Sequence, residues 1–404
     1  MLLTLAWRNL WRNPRRTLII LVSVAVGVLA LVLSDAFSIG MMHQMLDNRI
    51  GAHVGHLQIH ADGFRDNPSL DSLIEQPDKL QGRLDALPFV AASSQRLLFF
   101  GLLSSSRASS GVNLVGIEPE TEREITTIAR SMVEGNYLDA GAGEILISAE
   151  LAEKLEVGVG DKVVAMASKS SGEMGSSAFR IGGLFRTFDS QFDKSHVYLK
   201  LDDFRAMLET GPRSAQIVAL VDNPDSVAAY MSRVREILPA GVEAASYRDL
   251  LPLLILQMES YAELIWIFYL IVGLAMFFGI VNTMLMAVFE RVHEIGIFMA
   301  IGMKRGQIFR MILAEAFTMG LIGTAVGAGV AWLAHLPFDQ AGLDLAIFSD
   351  ALHSMGVGSR IYPRFSAATF LNSFVMVPLF AALGAVYPAL KAVRLQPVEA
   401  MRYV

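Results

Sequence analysis

The chain has no cysteine among its 404 residues. That excludes disulfides, thiolate metal ligands and thiol nucleophiles. Charge is scarce as well: Asp, Glu, Lys and Arg make up 18% of the residues, where a soluble domain carries about a quarter. The net charge of −6 is small for this length and speaks against a nucleic-acid partner. No G-x-x-x-x-G-K-[ST] occurs, so the chain has no P-loop for ATP. The shortage of charge is concentrated in four runs that contain none: Thr17–Ser34, Leu264–Phe289, Ala316–Ala334 and Phe365–Leu390.

What fills those runs is apolar. Hydrophobic residues are 53% of the chain and the mean hydropathy is +0.46. A hydrocarbon core about 30 Å thick takes roughly 20 helical residues to cross, so the runs predict four transmembrane helices. The first run is too long for the apolar part of a signal peptide, and further spans follow it; it reads as a retained anchor.

Orientation follows from Lys and Arg near the spans. Arg8, Arg12, Arg15 and Arg16 precede the first span. Arg291, Lys304, Arg305 and Arg310 follow the second, and Lys391, Arg394 and Arg402 follow the fourth. Between the third and fourth spans, Asp339, Asp344 and Asp350 face Arg360 and Arg364. Both termini and the 290–315 segment are therefore expected in the cytoplasm, with the insert 40–260 and the loop 337–364 outside.

Three regions result. Residues 1–40 hold an interfacial helix and the first span; on 2–12, Leu3, Trp7, Leu10 and Trp11 share one face beside Arg8 and Arg12, and Pro14 ends it. That helix reads equally as an anchor or as part of coupling. Residues 41–260 form an outer α+β domain with stalk ends, and residues 261–404 hold spans two to four. In the outer domain, Leu57 and Ile59 alternate with His56, Gln58 and His60. Strands are expected at Ile145–Ser148, Val163–Ala167, Phe179–Phe185, Val197–Leu199 and Gln216–Val221. Helices are expected at Ala149–Leu155, Asp202–Glu209 and Ser226–Leu238. The Ser/Gly-rich stretches Ser104–Ser110 and Lys169–Ser177 read as mobile loops.

Three constellations carry the functional expectations. The first is a helix at 290–307. Glu290, Arg291 and Glu294 neighbour one another on it. Ile295, Met299 and Met303 form an apolar ridge, and Gly296 and Gly302 allow a close approach or a turn. A ridge flanked by charge suits a partner's groove; the alternative is an ordinary interfacial helix. The second is a stalk set. Met41, Met42 and Met45 would face Met258, Tyr261, Ile265 and Phe268, soft side chains suited to acyl chains or simply to packing. The third is polar and small residues inside the spans. Gly323, Gly327 and Ala331 suit close helix packing, Asn282 and Thr283 suit hydrogen bonds to a neighbouring helix, and Glu315, at the edge of the third span, suits snorkelling or local pairing first and a coupling role second. His53, His56 and His60 lack a carboxylate or thiolate to complete a metal site, so none is assigned. No catalytic triad or carboxylate pair stands out.

Four stretches, AWRNLWRNPRRT, EILISAELAEKLEVGVGDKVVAM, ERVHEIGIFMAIGMKRGQI and YPALKAVRLQPVEAMRYV, carry a resemblance that extends over the whole chain. It resembles the permeases of the FtsX/MacB superfamily of ABC transporters. Length and the large insert look most like the LolC/LolE permeases, which release lipoproteins from the inner membrane of Gram-negative bacteria. The resemblance implies a four-helix membrane protein with a MacB-like periplasmic core domain between helices one and two. It implies a second permease subunit, identical or paralogous, and two copies of a cytoplasmic ATPase gripping the 290–307 coupling helix. ATP and Mg would be bound by that ATPase, not by this chain, which would be no enzyme itself. A periplasmic lipoprotein carrier and membrane lipid complete the implied partners. A MacB-type mechanical transmitter for efflux and an FtsX-like regulator of a cell-wall hydrolase are the rival implications.

Overall fold

The computed structural model describes residues 14–138 and 141–394. The expected interfacial helix 2–12 and the tail from 395 lie outside the described residues. The chain forms two compact units, one of residues 43–256 with 345–359, the other of residues up to 42, 257–344 and 360 onward. The first helix, α1 (Pro14–Arg49), carries the first apolar run and continues as a π-turn, Ile50–Val54.

The 43–256 unit is a mixed α/β fold. Its strands are β1 (Leu57–Ala61), β2 (Val90–Ser104), β3 (Ser109–Ile117), β4 (Met132–Gly135), β5 (Glu144–Ser148), β6 (Lys162–Ser168), β7 (Met174–Phe185), β8 (His196–Lys200), β9 (Gln216–Val221) and β10 (Val242–Ser246). Seven short helices accompany them: α2 (Pro77–Asp85), α3 (Pro119–Ile125), α4 (Ala149–Leu155), α5 (Ser190–Asp193), α6 (Leu201–Leu208), α7 (Val227–Ile237) and α8 (Tyr247–Leu250). The ten strands form one sheet in the order β10-β1-β9-β2-β3-β8-β5-β7-β4, with β6 on β2 and β7. β3–β8 and β5–β7 are parallel; the other pairings are antiparallel.

Local chemistry explains several boundaries. Ser148 caps α4 by accepting the Leu151 N–H at 3.0 Å. The helix ends at Glu156, whose φ of 53° is left-handed. The two stretches expected as mobile loops are strand ends and tight turns. Ser105 Oγ accepts the Ala108 N–H at 3.0 Å between β2 and β3, and Gly172, at φ 82°, turns β6 into β7. β1 departs from its expected alternation: all five residues are buried, on both faces of the strand, and both its edges are paired, with β9 and β10. Gln58 and His60 are therefore interior. So is Arg96 of β2, held bidentate by Glu122 at 2.7 and 3.1 Å with neither side chain exposed.

The second unit is helical. α9 (Pro252–Glu290) is followed by α10 (Val292–Ala300), α11 (Arg305–Ala341), β11 (Leu343–Asp344), β12 (Arg360–Ile361) and α13 (Ala367–Val393); the short helix α12 (Ser349–Ser354), between β11 and β12, belongs to the other unit. α1, α9, α11 and α13 are each long and apolar enough to cross a membrane. Small residues bring them together. A Cβ at Gly323 would stand 2.6 Å from Val24 Cγ1, and one at Gly327 would stand 2.5 Å from the Ala25 carbonyl oxygen, so the glycine pair is the seat of α1 on α11. Likewise Gly273 of α9 leaves room for Phe380 of α13. Thr283 does not bond to a neighbour as expected; its hydroxyl donates back to Gly279 O at 2.8 Å. Asn282 is exposed.

Candidate functional site

The short helix α10 is built by two interruptions. α9 ends at Glu290, and Arg291 leaves helical geometry at φ −109°, ψ 14°. After Ala300, Gly302 turns the chain at φ 101°, which favours glycine. Lys304 N–H then donates to Gln307 Oε1 at 2.9 Å at the start of α11. The helix expected over 290–307 is thus a nine-residue helix with turns on either side.

Its buried side is the predicted ridge. Val292, Ile295 and Gly296 are buried, and Ile295 joins the bundle core with Ile308 and Ile312, Met299 and Met303 packing beside it. Arg291 lies at its start, 3.3 Å from Glu294 and 3.3 Å from the buried Glu315 of α11. That pairing fixes α10 to α11 and gives Glu315 the local partner expected of it. The residues left outward are His293, Ile297, Ala300 and Ile301, the last 79% exposed, followed by Gly302, Lys304 and Arg305. Glu290 is exposed at the end of α9. Sequence reasoning passed over His293, Ile297 and Ile301, although their i, i+4, i+8 spacing was available. Two ridges run along this helix, and spacing does not say which one the bundle takes.

The stalk residues are dispersed. Met42 is buried and Met41 half-buried; Met45 belongs to the 43–256 unit. Met258 is half-buried, Ile265 packs against the bundle core, and Phe268 is exposed. Tyr261 donates to Asp35 Oδ1 at 3.1 Å. Elsewhere, a cleft of about 500 Å³ opens between α1 and α9, lined by Ile19, Ser23, Gly27, Ile271, Ala275 and Asn282 among others. The Ser23 hydroxyl is satisfied by Ile19 O at 2.8 Å within its own helix, so the lining is largely apolar. None of the predicted stalk residues lines it.

The three histidines each have separate surroundings. His53 lies in the π-turn, its ring 5.1 Å from that of His196. His56 Nδ1 accepts the Val221 N–H at 3.0 Å, and His60 Nε2 lies 3.2 Å from Gln216 Oε1. Burial brings His60 and His196 down to about 4, so both are neutral near pH 7. Among the described residues no group of three or more His, Cys, Asp or Glu could hold a metal.

Comparison with known proteins adds the following. The family model of the MacB-like periplasmic core domain matches residues 17–237, and that of the FtsX-like permease C-terminal region matches residues 266–397. The chain is 24% identical over 414 residues to the lipoprotein-releasing system transmembrane protein LolC of Neisseria meningitidis serogroup B, covering 96% of this chain and 94% of that protein. It is 22% identical over 418 residues to the lipoprotein-releasing system transmembrane protein LolE of Haemophilus influenzae, covering 98% of each. The macrolide export ATP-binding/permease protein MacB of Shewanella oneidensis is 36% identical, but over 123 residues, 30% of this chain and 16% of that protein.

Proposed function

This chain belongs to the FtsX/MacB family of ABC transporter permeases, and from that premise we propose that it extracts lipoproteins from the inner membrane and passes them to a periplasmic carrier. The observation that carries the cargo is collinearity. Similarity to the two lipoprotein-releasing proteins runs nearly end to end, whereas similarity to the macrolide exporter stops at 30% of the chain.

The physics of that cargo sets the mechanism. At about 0.8 kcal/mol per CH₂, three acyl chains placed in water would cost on the order of 30 kcal/mol. They must move from lipid to an apolar surface and then to a carrier without crossing water. The apolar cleft between α1 and α9 supports such a route. Two partner ATPases grip α10 from the cytoplasm through its outward face, where Ile297 and Ile301 are framed by His293, Lys304 and Arg305. ATP-driven closure then moves α10, and the Arg291–Glu315 link passes the motion to α11. A second permease subunit completes the path.

The test is reconstitution with the partner ATPase in nanodiscs loaded with a triacylated lipoprotein. ATP should release the lipoprotein to a soluble acceptor, and Ile301→Asp should abolish ATPase docking while the permease stays folded. An ATPase-competent complex that leaves acylated protein in the membrane at every acceptor concentration would overturn the cargo. The 36% identical segment shared with the macrolide exporter supports extrusion of periplasmic substrates as the second reading.

A further inference from the structure

The outer portions of α1, α9 and α13 meet through polar atoms inside the helical unit. Asp35 of α1 is 2% exposed. Its Oδ1 accepts the Tyr261 hydroxyl of α9 at 3.1 Å, and its Oδ2 accepts the Thr369 hydroxyl of α13. About 12 Å further along α9, at ~1.5 Å per residue, the Tyr269 hydroxyl donates to the Thr369 carbonyl at 2.9 Å and lies 3.3 Å from Ser373 Oγ. α1 and the segment leading into α13 are joined backbone to backbone as well: Arg364 N–H donates to Ala36 O at 2.9 Å. Deeper in the bundle the same helices pack by carbon, with Gly273 against Phe380 and Gly27 against Val272.

We propose that Tyr261 and Tyr269 form a latch that holds the outer half of α9 against the α1–α13 pair in the resting permease, and that its release precedes cargo movement. The inference rests on the permease reading and not on the identity of the cargo. Its physical basis is the kind of bond used. A carboxylate buried in a bundle is costly unless it is hydrogen-bonded, and here two hydroxyls satisfy it. Once α9 moves outward, water at the outer boundary satisfies Asp35 and both phenols instead. Both states are then satisfied, so the gap between them stays small enough for a partner to bias. Close carbon packing offers no such second state, which confines the opening to the outer half. A leucine in place of Asp35 would favour one arrangement only.

Because the chain has no native cysteine, spin labels can be placed at Ser34→Cys and Ala262→Cys, both exposed positions, before the ATPase is added, without background from this chain. Pulsed EPR on the permease–ATPase complex in nanodiscs then reports the α1–α9 separation. Tyr261→Phe with Tyr269→Phe removes both hydroxyls and keeps the rings. The longer-distance population without ATP should rise at least three-fold, and basal ATP hydrolysis about two-fold. Asp35→Asn should give an intermediate shift. Thr318→Val on α11, whose hydroxyl donates back to Ala314 O in its own turn, should change neither readout. Wild-type distances and wild-type hydrolysis in the double Tyr→Phe variant would overturn the latch. If that variant fails to assemble, Tyr261→Phe alone must show the same direction of shift or the proposal falls. Neither readout involves a lipoprotein, so failure of the cargo assignment leaves this test intact.

Discussion

Small side chains have a larger share of the interior in one unit than in the other. The interior of the α/β unit is filled by Phe185, Phe204, Tyr198, Leu97 and Leu114. The helical unit keeps Gly323, Gly327, Ala331, Ala381, Ala385 and Ala389 inside and turns Phe278 and Leu371 outward, each 68% exposed. Water explains the first arrangement, since each Å² of apolar surface hidden from it is worth about 25 cal/mol. Lipid explains the second. A leucine gains nothing by leaving hydrocarbon, so close backbone approach and a few hydrogen bonds hold the helices. The α/β unit should thus be sensitive to lost partners and the bundle to added volume.

The sharpest way to break that contrast is Arg96→Ala. It leaves Glu122 fully buried and uncompensated, and such losses cost about 3–5 kcal/mol. Hydrogen-exchange mass spectrometry of β1–β3 peptides in the full chain should show the collapse. Arg96→Met with Glu122→Leu should lose far less, because no lone charge remains. In the bundle the counterpart is Gly327→Leu, which drives a side chain into the Ala25 backbone. A loss of about 1–3 kcal/mol is expected, as for overpacked cores, read by titration from mild detergent into SDS.

A third test uses pH. His60 and His196 have depressed values of about 4 from burial. The unfolded chain therefore binds protons more readily than the fold below about pH 6.5. Their contribution to stability is full above that and is lost as pH falls toward 4. Asp193 opposes them: burial pushes it up to about 6. Its contribution is full below the usual carboxylate range and lost as pH rises through about 6. The α/β unit should weaken on acidification from pH 6.5 to 4. Asp193→Asn keeps partners for the Thr187 N–H and hydroxyl. It should steepen that fall and add on the order of 2 kcal/mol at pH 7, measured by denaturation across the range. The smallest expected effect is Glu156→Gly. It relieves a left-handed φ of 53° and gives up an exposed pair with Arg107. The pair is worth about 0–1 kcal/mol, so the net change should stay below about 1 kcal/mol in thermal melts.

Much of this was legible in the chain. The charge-free runs locate the four long apolar helices among the described residues, and Ala149–Leu155 and Gln216–Val221 match their elements residue for residue. β2 was not legible. VAASSQRLLFFGLLS neither alternates nor runs apolar, because Ser93, Ser94, Gln95 and Arg96 are buried with internal partners. The face of α10 that the bundle claims depends on α11, which the local pattern cannot report. The Asp35–Tyr261 bond joins residues 226 apart, and neither stands in a motif that announces the other.

The position of β1 bears on how the protein is made. Its residues 57–61 pair only with β9 at 216–219 and β10 at 242–246. It is therefore among the first parts of the unit to leave the ribosome and among the last to find neighbours. At about 5–20 residues per second the wait for β9 is roughly 10–30 s. Throughout that time a strand with Leu57 and Ile59 on one face has two open edges, a template for pairing with the wrong chain. Nascent copies should depend on a holding chaperone on the side where this unit emerges, and a stop in synthesis between residues 61 and 216 would leave an aggregation-prone fragment moored to the bilayer.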